Sequence, residues 1–172
     1  VDLAKEVGSD LILGTDPDSD RVGVMVRGAD GEYHTITGNQ MGVLLLDYII
    51  TARRRKGTLP ENAAAISTIV TSKMVRRICD VNDIHFDETF TGFKFMAEKL
   101  AEYQRDGSYQ YVLAFEESYG YMMGDYVRDK DAVTACVMIT EMAAYYFEQG
   151  MTLAQALDAL YEKYGFYGER TL

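Results

Sequence analysis

Apolar residues recur along the chain in two patterns that predict two kinds of secondary structure. Short runs rich in β-branched and apolar residues predict strands, whose side chains alternate between two faces. Such runs cover residues 10–15, 21–27, 64–70, 84–88 and 109–115, and a hairpin turn at 28–32 leads from the second run into residues 33–37. Longer stretches with apolar residues three and four positions apart predict helices between the strands.

Capping signals mark where several of these helices begin and end. Thr37 and Gln40 have the spacing of a capping box, and so do Thr152 and Gln155. The first box should open a helix that runs to about Lys56, and the second should open the last helix of the chain. The other predicted helices cover residues 1–8 with Gly8 as the stop, 73–80, 91–104, and 131–149 with Gly150 as the stop.

Strands that alternate with helices of this length predict an α/β fold, with a mixed or mainly parallel sheet and helices on both of its faces. Apolar spacing places Phe93, Met96, Ala97 and Leu100 on one face of the helix at 91–104, and Val133, Cys136, Val137 and Thr140 on one face of the helix at 131–149. With 172 residues, 48% of them hydrophobic, the chain fits one domain, or one domain plus part of another.

Charge and cysteine content argue against several kinds of binding partner and indicate the cellular compartment. The formal net charge of -10 disfavours binding to a nucleic-acid backbone or to an anionic membrane surface. Cys79 and Cys136 lie far apart in apolar helical stretches and are predicted to be reduced core residues, which indicates a cytoplasmic location. No leader sequence opens the chain, and no apolar run reaches the roughly 18 residues of a bilayer span, so we expect a soluble protein without a membrane partner.

An acidic segment, TDPDSDR at residues 15–21, directly follows the first predicted strand. Side chains at alternate positions of an extended segment point to one side, so Asp16, Asp18 and Asp20 should converge. Because neighbouring carboxylates repel one another, such an arrangement favours a hard divalent cation as the guest. An acidic loop that is merely solvated remains the simplest alternative.

Two known kinds of acidic loop can be compared with this segment. A calcium-binding EF-hand is excluded, because its sixth and twelfth positions would be Arg21 and Arg27 where glycine and glutamate are needed. A haloacid-dehalogenase-like phosphatase also places Asp-x-Asp after a buried strand, with Asp16 as nucleophile and Asp18 as acid/base. This phosphatase interpretation stays open as an alternative function.

A second group of polar residues follows the strand at 109–115. Glu116 and Glu117 stand at the end of that strand, where α/β sheets usually bind ligands, and a carboxylate can accept hydrogen bonds from neighbouring sugar hydroxyls. Arg128 and Lys130 precede the long helix, where cations are unfavourable but a bound phosphate is favoured. The segment therefore predicts a sugar-phosphate site, with a solvated glutamate loop as the alternative.

Five motifs, GTDPDSDR, TGN, TFTGFK, FEESYGY and VRDKDAVTA, occur in the order found in the α-D-phosphohexomutases, the phosphoglucomutase and phosphomannomutase superfamily. The chain resembles this family over essentially its whole length. The resemblance implies that Asp16, Asp18 and Asp20 bind Mg²⁺. It also implies that Arg21 and Lys130 lie in the catalytic cleft, Arg21 against the reacting phosphate, and that the substrate is bound by Gly92, Phe93, Lys94, Glu116 and Ser118. Arg128 is added to the predicted substrate-binding residues because of its position before the long helix, where a phosphate would be favoured.

The same resemblance implies an activity and a domain organisation. Enzymes of this family interconvert hexose 1-phosphate and hexose 6-phosphate through a phosphoserine and a bisphosphate intermediate. Neither the TASHNP-like serine segment of their first domain nor the RxSGTEP-like phosphate loop of their fourth occurs in this sequence. We therefore expect residues 1–36 to be the end of domain two with the metal loop, and residues 37–172 to be domain three, with domains one and four as missing partners.

Substrate and activity remain open at this level. Glucose 1-phosphate and glucose 6-phosphate are the favoured substrates, since FEES resembles the phosphoglucomutases and the GEMSGH form of the dual-specificity mannose enzymes is absent. The FEESYGY form also resembles relatives that act on pentose phosphates. The isolated chain is expected to be inactive, and a non-catalytic module that binds sugar phosphates is the remaining alternative.

Overall fold

The computed structural model describes residues 1–168 and confirms the predicted α/β fold. Residues 169–172, the end of the predicted third domain, lie outside the described part, and the division at residue 36 stays a prediction. In chain order the elements are α1 (Asp2–Val7), β1 (Leu11–Thr15), β2 (Val22–Arg27), β3 (Tyr33–Ile36), α2 (Gly38–Lys56), β4 (Ala63–Thr68), α3 (Met74–Asn82), β5 (His85–Thr89), α4 (Phe93–Asp106), β6 (Gln110–Phe115), β7 (Tyr121–Met122), α5 (Ala132–Glu148) and α6 (Leu153–Tyr164).

The strands of the described residues form two sheets. β1, β2 and β3 make a three-stranded antiparallel sheet in that order, with Gly14 of β1 opposite Gly23 of β2. The second sheet has the order β5-β4-β6-β7, in which β4 runs parallel to β5 and β6 while β7 runs antiparallel to β6. The second sheet is therefore mixed, as the sequence predicts.

Helices cover both faces of the mixed sheet. The side chains of β4 alternate between these faces and pack against the helices on each. Ala64 and Ile66 point into a small cluster with Phe93 and Met96 of α4. On the opposite face, Ala63 and Ala65 belong to the main core, to which α2, α3, α5 and α6 contribute buried side chains. Both predicted capping boxes are present, at Thr37 of α2 and Thr152 of α6.

The long helix α5 does not pack through the face that apolar spacing picks out in the sequence. Val133, Cys136, Val137 and Thr140 do share a face, but Val133 and Val137 are 63% and 61% exposed. The buried face is formed by Ala132, Ala135, Ile139, Met142 and Tyr146. Because this helix is apolar on most of its circumference, apolar spacing alone does not decide which face is packed.

The end of β4 corrects one prediction from the sequence. The predicted strand at 64–70 stops at Thr68, and Ile69 and Val70 lie in a turn with exposed side chains.

Cys79 is buried and Cys136 partly buried, both as free thiols, and burial raises the pKa of Cys79 to about 12. Within residues 1–168 no helix is both long and apolar enough to span a membrane.

Helix α2 crosses the mixed sheet at one point of very close approach. A methyl group at Gly42 would lie 1.9 Å from Cε2 of Phe115, a side chain with no exposed surface. Since neither the helix backbone nor this buried ring can move freely, only glycine fits at this crossing.

We expect Gly42→Ala to lower the free energy of unfolding by about 1–3 kcal/mol, the usual cost of overpacking a core. At an ordinary helix position the same change would stabilise by about 1 kcal/mol, so the sign of the effect is diagnostic. Urea unfolding measures it, with Gly23→Ala as the control, because a methyl group there meets only the Gly14 carbonyl at 3.8 Å. A Gly42→Ala variant as stable as wild type would contradict the crossing described above.

Candidate functional site

Two loops that each follow the end of a strand lie side by side and form the centre of the site. The acidic loop at 16–21 joins β1 to β2, and the loop at 116–120 joins β6 to β7. An isolated antiparallel bridge pairs Arg21 with Gly120, and the Val22 amide donates to the Tyr119 carbonyl at 3.2 Å. These backbone bonds fix one loop against the other although they are about a hundred residues apart in sequence.

The start of α5 is attached to the same centre. The amide of Ala132, the first residue of α5, donates to the Ser19 carbonyl of the acidic loop at 3.0 Å. The Asp131 amide donates to the Tyr121 carbonyl of β7, also at 3.0 Å, and the Asp131 side chain caps the helix by accepting from the Val133 amide. Lys130, directly before this cap, is thereby directed towards the acidic loop.

The acidic loop is folded around the carboxylate of Asp16. Its Oδ1 accepts hydrogen bonds from the amides of Asp20 and Arg21, each at 3.2 Å. Desolvation raises the pKa of Asp16, but these hydrogen bonds and the charge of Arg21 outweigh it and hold the pKa below its usual range. Ser19 takes a left-handed conformation at the tip, with φ of 55°, and Asp18 is exposed.

Lys130 is the cationic partner of this loop. Its Nζ lies 3.0 Å from Oδ2 of Asp20 and 3.2 Å from Oδ1 of Asp129, and its side chain is only 14% exposed. Desolvation lowers the pKa of Lys130, but the hydrogen bonds to Asp20 and Asp129 outweigh it and raise the pKa. Nε of Arg21 lies 3.9 Å from Oδ1 of Asp20, so two cations face one carboxylate.

The three aspartates have the chemistry of a site for a hard cation, since all of their ligand atoms would be carboxylate oxygens. Within residues 1–168, however, no group of three or more His, Cys, Asp or Glu side chains is gathered to hold a metal ion. Asp16 is engaged by backbone amides and Asp20 by Lys130. The donor set fits Mg²⁺, and the arrangement seen is one in which a lysine balances the charge of Asp20.

Glu116 lies at the end of β6 and is buried, with 7% of its surface exposed. Its Oε1 accepts from the Gly92 amide and its Oε2 from the Ser118 hydroxyl, both at 3.1 Å. The carboxylate thus holds the loop before α4, where Gly92 has φ of 110°. The predicted sugar-binding residues Gly92, Glu116 and Ser118 are therefore in direct contact.

Glu117 has a different environment, which the sequence does not distinguish. Its Oε2 accepts hydrogen bonds from the hydroxyls of Thr68 and Thr71, at 3.0 and 3.5 Å. A methyl group at Gly38 would lie 2.1 Å from the Glu117 carbonyl oxygen, so the start of α2 packs directly on this loop. Glu117 anchors the loop to the end of β4, and no local signal in the sequence points to either threonine.

The remaining predicted site residues have separate contacts. Phe93 is buried at the start of α4, and its ring centroid lies 5.1 Å from Nζ of Lys130. Nζ of Lys94 lies 4.6 Å from the ring centroid of Phe95. Arg128 is exposed and donates to the side chain of Gln104 on α4 at 2.7 Å. Phe93 is thus joined to the acidic loop through Lys130, whereas the charged groups of Lys94 and Arg128 contact residues of α4.

A cavity of about 820 Å³ lies away from these two loops, between the three-stranded sheet and α5. Its lining is mainly apolar and includes Leu11, Leu13, Ala144 and Phe147. No residue of the acidic loop at 16–21 or of the loop at 116–120 lines it, and neither does Lys130. Its volume therefore does not identify the functional site, which is defined by the polar contacts between the two loops.

Comparison with known proteins covers almost the whole chain. Residues 37–164 match the family model described as phosphoglucomutase/phosphomannomutase, alpha/beta/alpha domain III. A phosphopentomutase of Mus musculus is 35% identical over 168 residues, which are 96% of this chain and 27% of that protein. A phosphoglucomutase of Staphylococcus aureus is 36% identical over 165 residues, 96% of this chain and 29% of that protein. The chain thus spans less than a third of the length of these curated relatives.

Solved structures share the fold at lower identity. A Thermus thermophilus protein described as a putative phosphomannomutase superposes with a TM-score of 0.72 at 21% identity, over 95% of this chain and 34% of that one. The N-acetylphosphoglucosamine mutase of Aspergillus fumigatus, in complex with GlcNAc-6P and magnesium, gives a TM-score of 0.64 at 13% identity, over 98% of this chain and 36% of that one. Both likenesses confirm the fold predicted from the sequence.

Proposed function

Because this chain belongs to the phosphoglucomutase/phosphomannomutase family, we propose that it is the metal- and sugar-binding part of a longer phosphohexomutase. That enzyme would interconvert hexose 1-phosphate and hexose 6-phosphate through a phosphoserine and a bisphosphate intermediate. One observation carries the proposal: the bridge between Arg21 and Gly120 places the acidic loop beside the loop of Glu116 and Ser118. In the proposed enzyme, the cation site and the acceptor of sugar hydroxyls would therefore lie side by side.

The acidic loop would hold Mg²⁺ through Asp16, Asp18 and Asp20. When bound, the ion would neutralise charge on the transferring phosphoryl group. Arg21 and Lys130 add two positive charges next to this loop, where a sugar phosphate would need them. Support for the metal comes from the all-carboxylate donor set and from the Aspergillus enzyme of the same fold, which was solved with magnesium.

Glu116 would orient the sugar. A buried carboxylate whose two oxygens are already fixed by the Gly92 amide and the Ser118 hydroxyl keeps further lone pairs for sugar hydroxyls. Holding the sugar in this way positions the attacking hydroxyl, which is the main protein contribution to phosphoryl transfer. The loop of Gly92, Phe93 and Lys94 would form the adjoining wall of the sugar site.

The phosphoryl donor and the distal phosphate clamp would come from other domains of the same longer protein. The motifs for both are absent from this sequence, and the chain spans only 29% of the Staphylococcus aureus relative. The complete active site would therefore form where those domains meet the two loops.

We expect the isolated chain to bind Mg²⁺ weakly, with a dissociation constant on the order of 1 mM or weaker, since magnesium keeps its waters and depends on phosphate ligands. Titration calorimetry measures this. Asp18→Asn should abolish the signal, whereas Asp158→Asn on α6 should leave it intact. Binding in the micromolar range would contradict a shared phosphate ligand and indicate an all-protein calcium-type site instead.

The activity is tested on the full-length protein with a coupled assay. Glucose 1-phosphate, mannose 1-phosphate and a pentose 1-phosphate should all be tried, because a phosphopentomutase and a phosphoglucomutase match this chain almost equally well. Conversion of at least one to its positional isomer, with glucose phosphate expected to be fastest, supports the proposal. Release of inorganic phosphate without isomerisation would instead support the haloacid-dehalogenase-like phosphatase.

A further inference from the structure

The stem of Lys130 lies in a slot that exists because residue 120 has no side chain. A methyl group at Gly120 would lie 2.3 Å from Cδ and 2.8 Å from Cγ of Lys130, and 3.2 Å from Cε2 of Phe93. The two separations from Lys130 are shorter than carbon atoms allow, so an alanine at 120 and the observed path of Lys130 are mutually exclusive.

Backbone conformation does not explain the glycine. The φ angle of Gly120 lies outside the left-handed region, unlike that of Gly92 or Gly124. An alanine could therefore adopt the same backbone without strain. Glycine is needed at position 120 because the side chain of Lys130 occupies the space that a Cβ atom would fill.

The groups that surround the Lys130 stem, the Phe93 ring and the Gly120 backbone, are held in place by packing and hydrogen bonds. Phe93 is 5% exposed at the start of α4, and its ring lies against the lysine. The Gly120 backbone is fixed by its bridge to Arg21 and by the hydrogen bond that its carbonyl accepts from the Glu116 amide at 2.9 Å. A new side chain at 120 would therefore displace Lys130 rather than the loop.

We propose that Gly120 is a positioning residue, whose missing side chain lets Lys130 pass between Phe93 and the 116–120 loop to reach Asp20. The importance of this for turnover rests on the proposed function, whereas the geometric part concerns this chain alone. In Gly120→Ala the ammonium group leaves Asp20, and the acidic loop loses its partly buried counter-charge.

Lysine labelling on the isolated chain tests the geometric part without metal or substrate. With limiting acetic anhydride and mass spectrometry, we expect Lys130 in Gly120→Ala to be acetylated about threefold or more faster than in wild type, because the ion pair that protects it is lost. The exposed Lys56 is the internal reference, and Gly23→Ala, where a methyl group has room, is the matched control. Equal rates at Lys130 in folded Gly120→Ala and wild type would overturn the proposal.

Thermal melting keeps the proposal testable if Gly120→Ala folds poorly. The atoms that would collide with the new methyl group belong mainly to Lys130, so Gly120→Ala combined with Lys130→Ala should melt at a higher temperature than Gly120→Ala alone. A double variant that melts no higher than Gly120→Ala alone would show that the glycine serves the loop itself, which contradicts a role through Lys130.

Kinetics of the full-length protein test the functional part. Gly120→Ala should lower kcat/KM about tenfold, mostly through KM, and should have no further effect in a Lys130→Ala background. An equal loss in both backgrounds would contradict the proposal. If wild-type full-length protein isomerises no sugar phosphate, the proposed function fails, while the labelling result still decides whether Gly120 positions Lys130.

Discussion

Glu116→Ala in the full-length protein is expected to lower kcat/KM by about 10²–10³, the range of effects that follow from losing the orientation of a reacting group. Glu116 is 7% exposed, and its carboxylate is the shared acceptor of the Gly92 amide and the Ser118 hydroxyl. Its removal takes away both the proposed sugar contact and the attachment of the loop before α4. Steady-state kinetics with the fastest sugar 1-phosphate measures the effect.

The neighbouring glutamate provides a matched control. Glu117→Gln keeps an oxygen that can accept from Thr68 and Thr71, so its kcat/KM should stay within a few-fold of wild type. Lys130→Ala should differ from both, raising KM more than it lowers kcat, because the proposed function puts a sugar phosphate beside its ammonium group, which lies 3.0 Å from Asp20. A Glu116→Ala variant as active as wild type would show that this carboxylate does not bind the sugar and would contradict its proposed role.

The isolated chain is expected to show no mutase turnover at all. It contains the acidic loop at 16–21 and the loop at 116–120, but neither the serine segment nor the phosphate loop that would donate and clamp the phosphoryl group in the proposed mechanism. A coupled assay with glucose 1-phosphate, run beside the full-length protein at equal molarity, should give a rate indistinguishable from buffer. Reproducible turnover by the purified chain would mean that a phosphoryl donor lies within it and would contradict the proposed domain organisation.

Local signals predict most of the secondary structure of this protein. Both capping boxes depend on residues three positions apart, and the strands depend on short apolar runs, so each can be identified without knowledge of the rest of the fold. The packed face of α5 depends instead on what lies beside the helix. Because Val133 is as apolar as the buried Ala135, the sequence could not show which of them faces the core.

The site shows the same division between local and long-range information. The motifs that contain Asp16, Asp20, Glu116 and Lys130 can be identified along the chain, and the structure brings Asp20 and Lys130 into contact. The separate environments of Glu116 and Glu117 could not be predicted, because they depend on α4 and on β4 respectively.

The space left by Gly120 could not be predicted either. Gly120 directly precedes β7, and Lys130, the residue that needs the space, comes after it in the chain. The sequence around Gly120 therefore does not show why glycine is needed there. Only the folded arrangement shows that the two positions constrain each other.

The most direct test of the central claim is to map the phosphorylated residue of the full-length protein by mass spectrometry after incubation with a sugar bisphosphate. The proposed mutase carries its phosphoryl group on a serine outside these 172 residues, as an acid-stable phosphoester. Asp16 should remain unmodified, because in the proposed mechanism its carboxylate binds the cation. Phosphate found on Asp16, as an acyl phosphate that borohydride reduces, would contradict the account and support the phosphatase mechanism in its place.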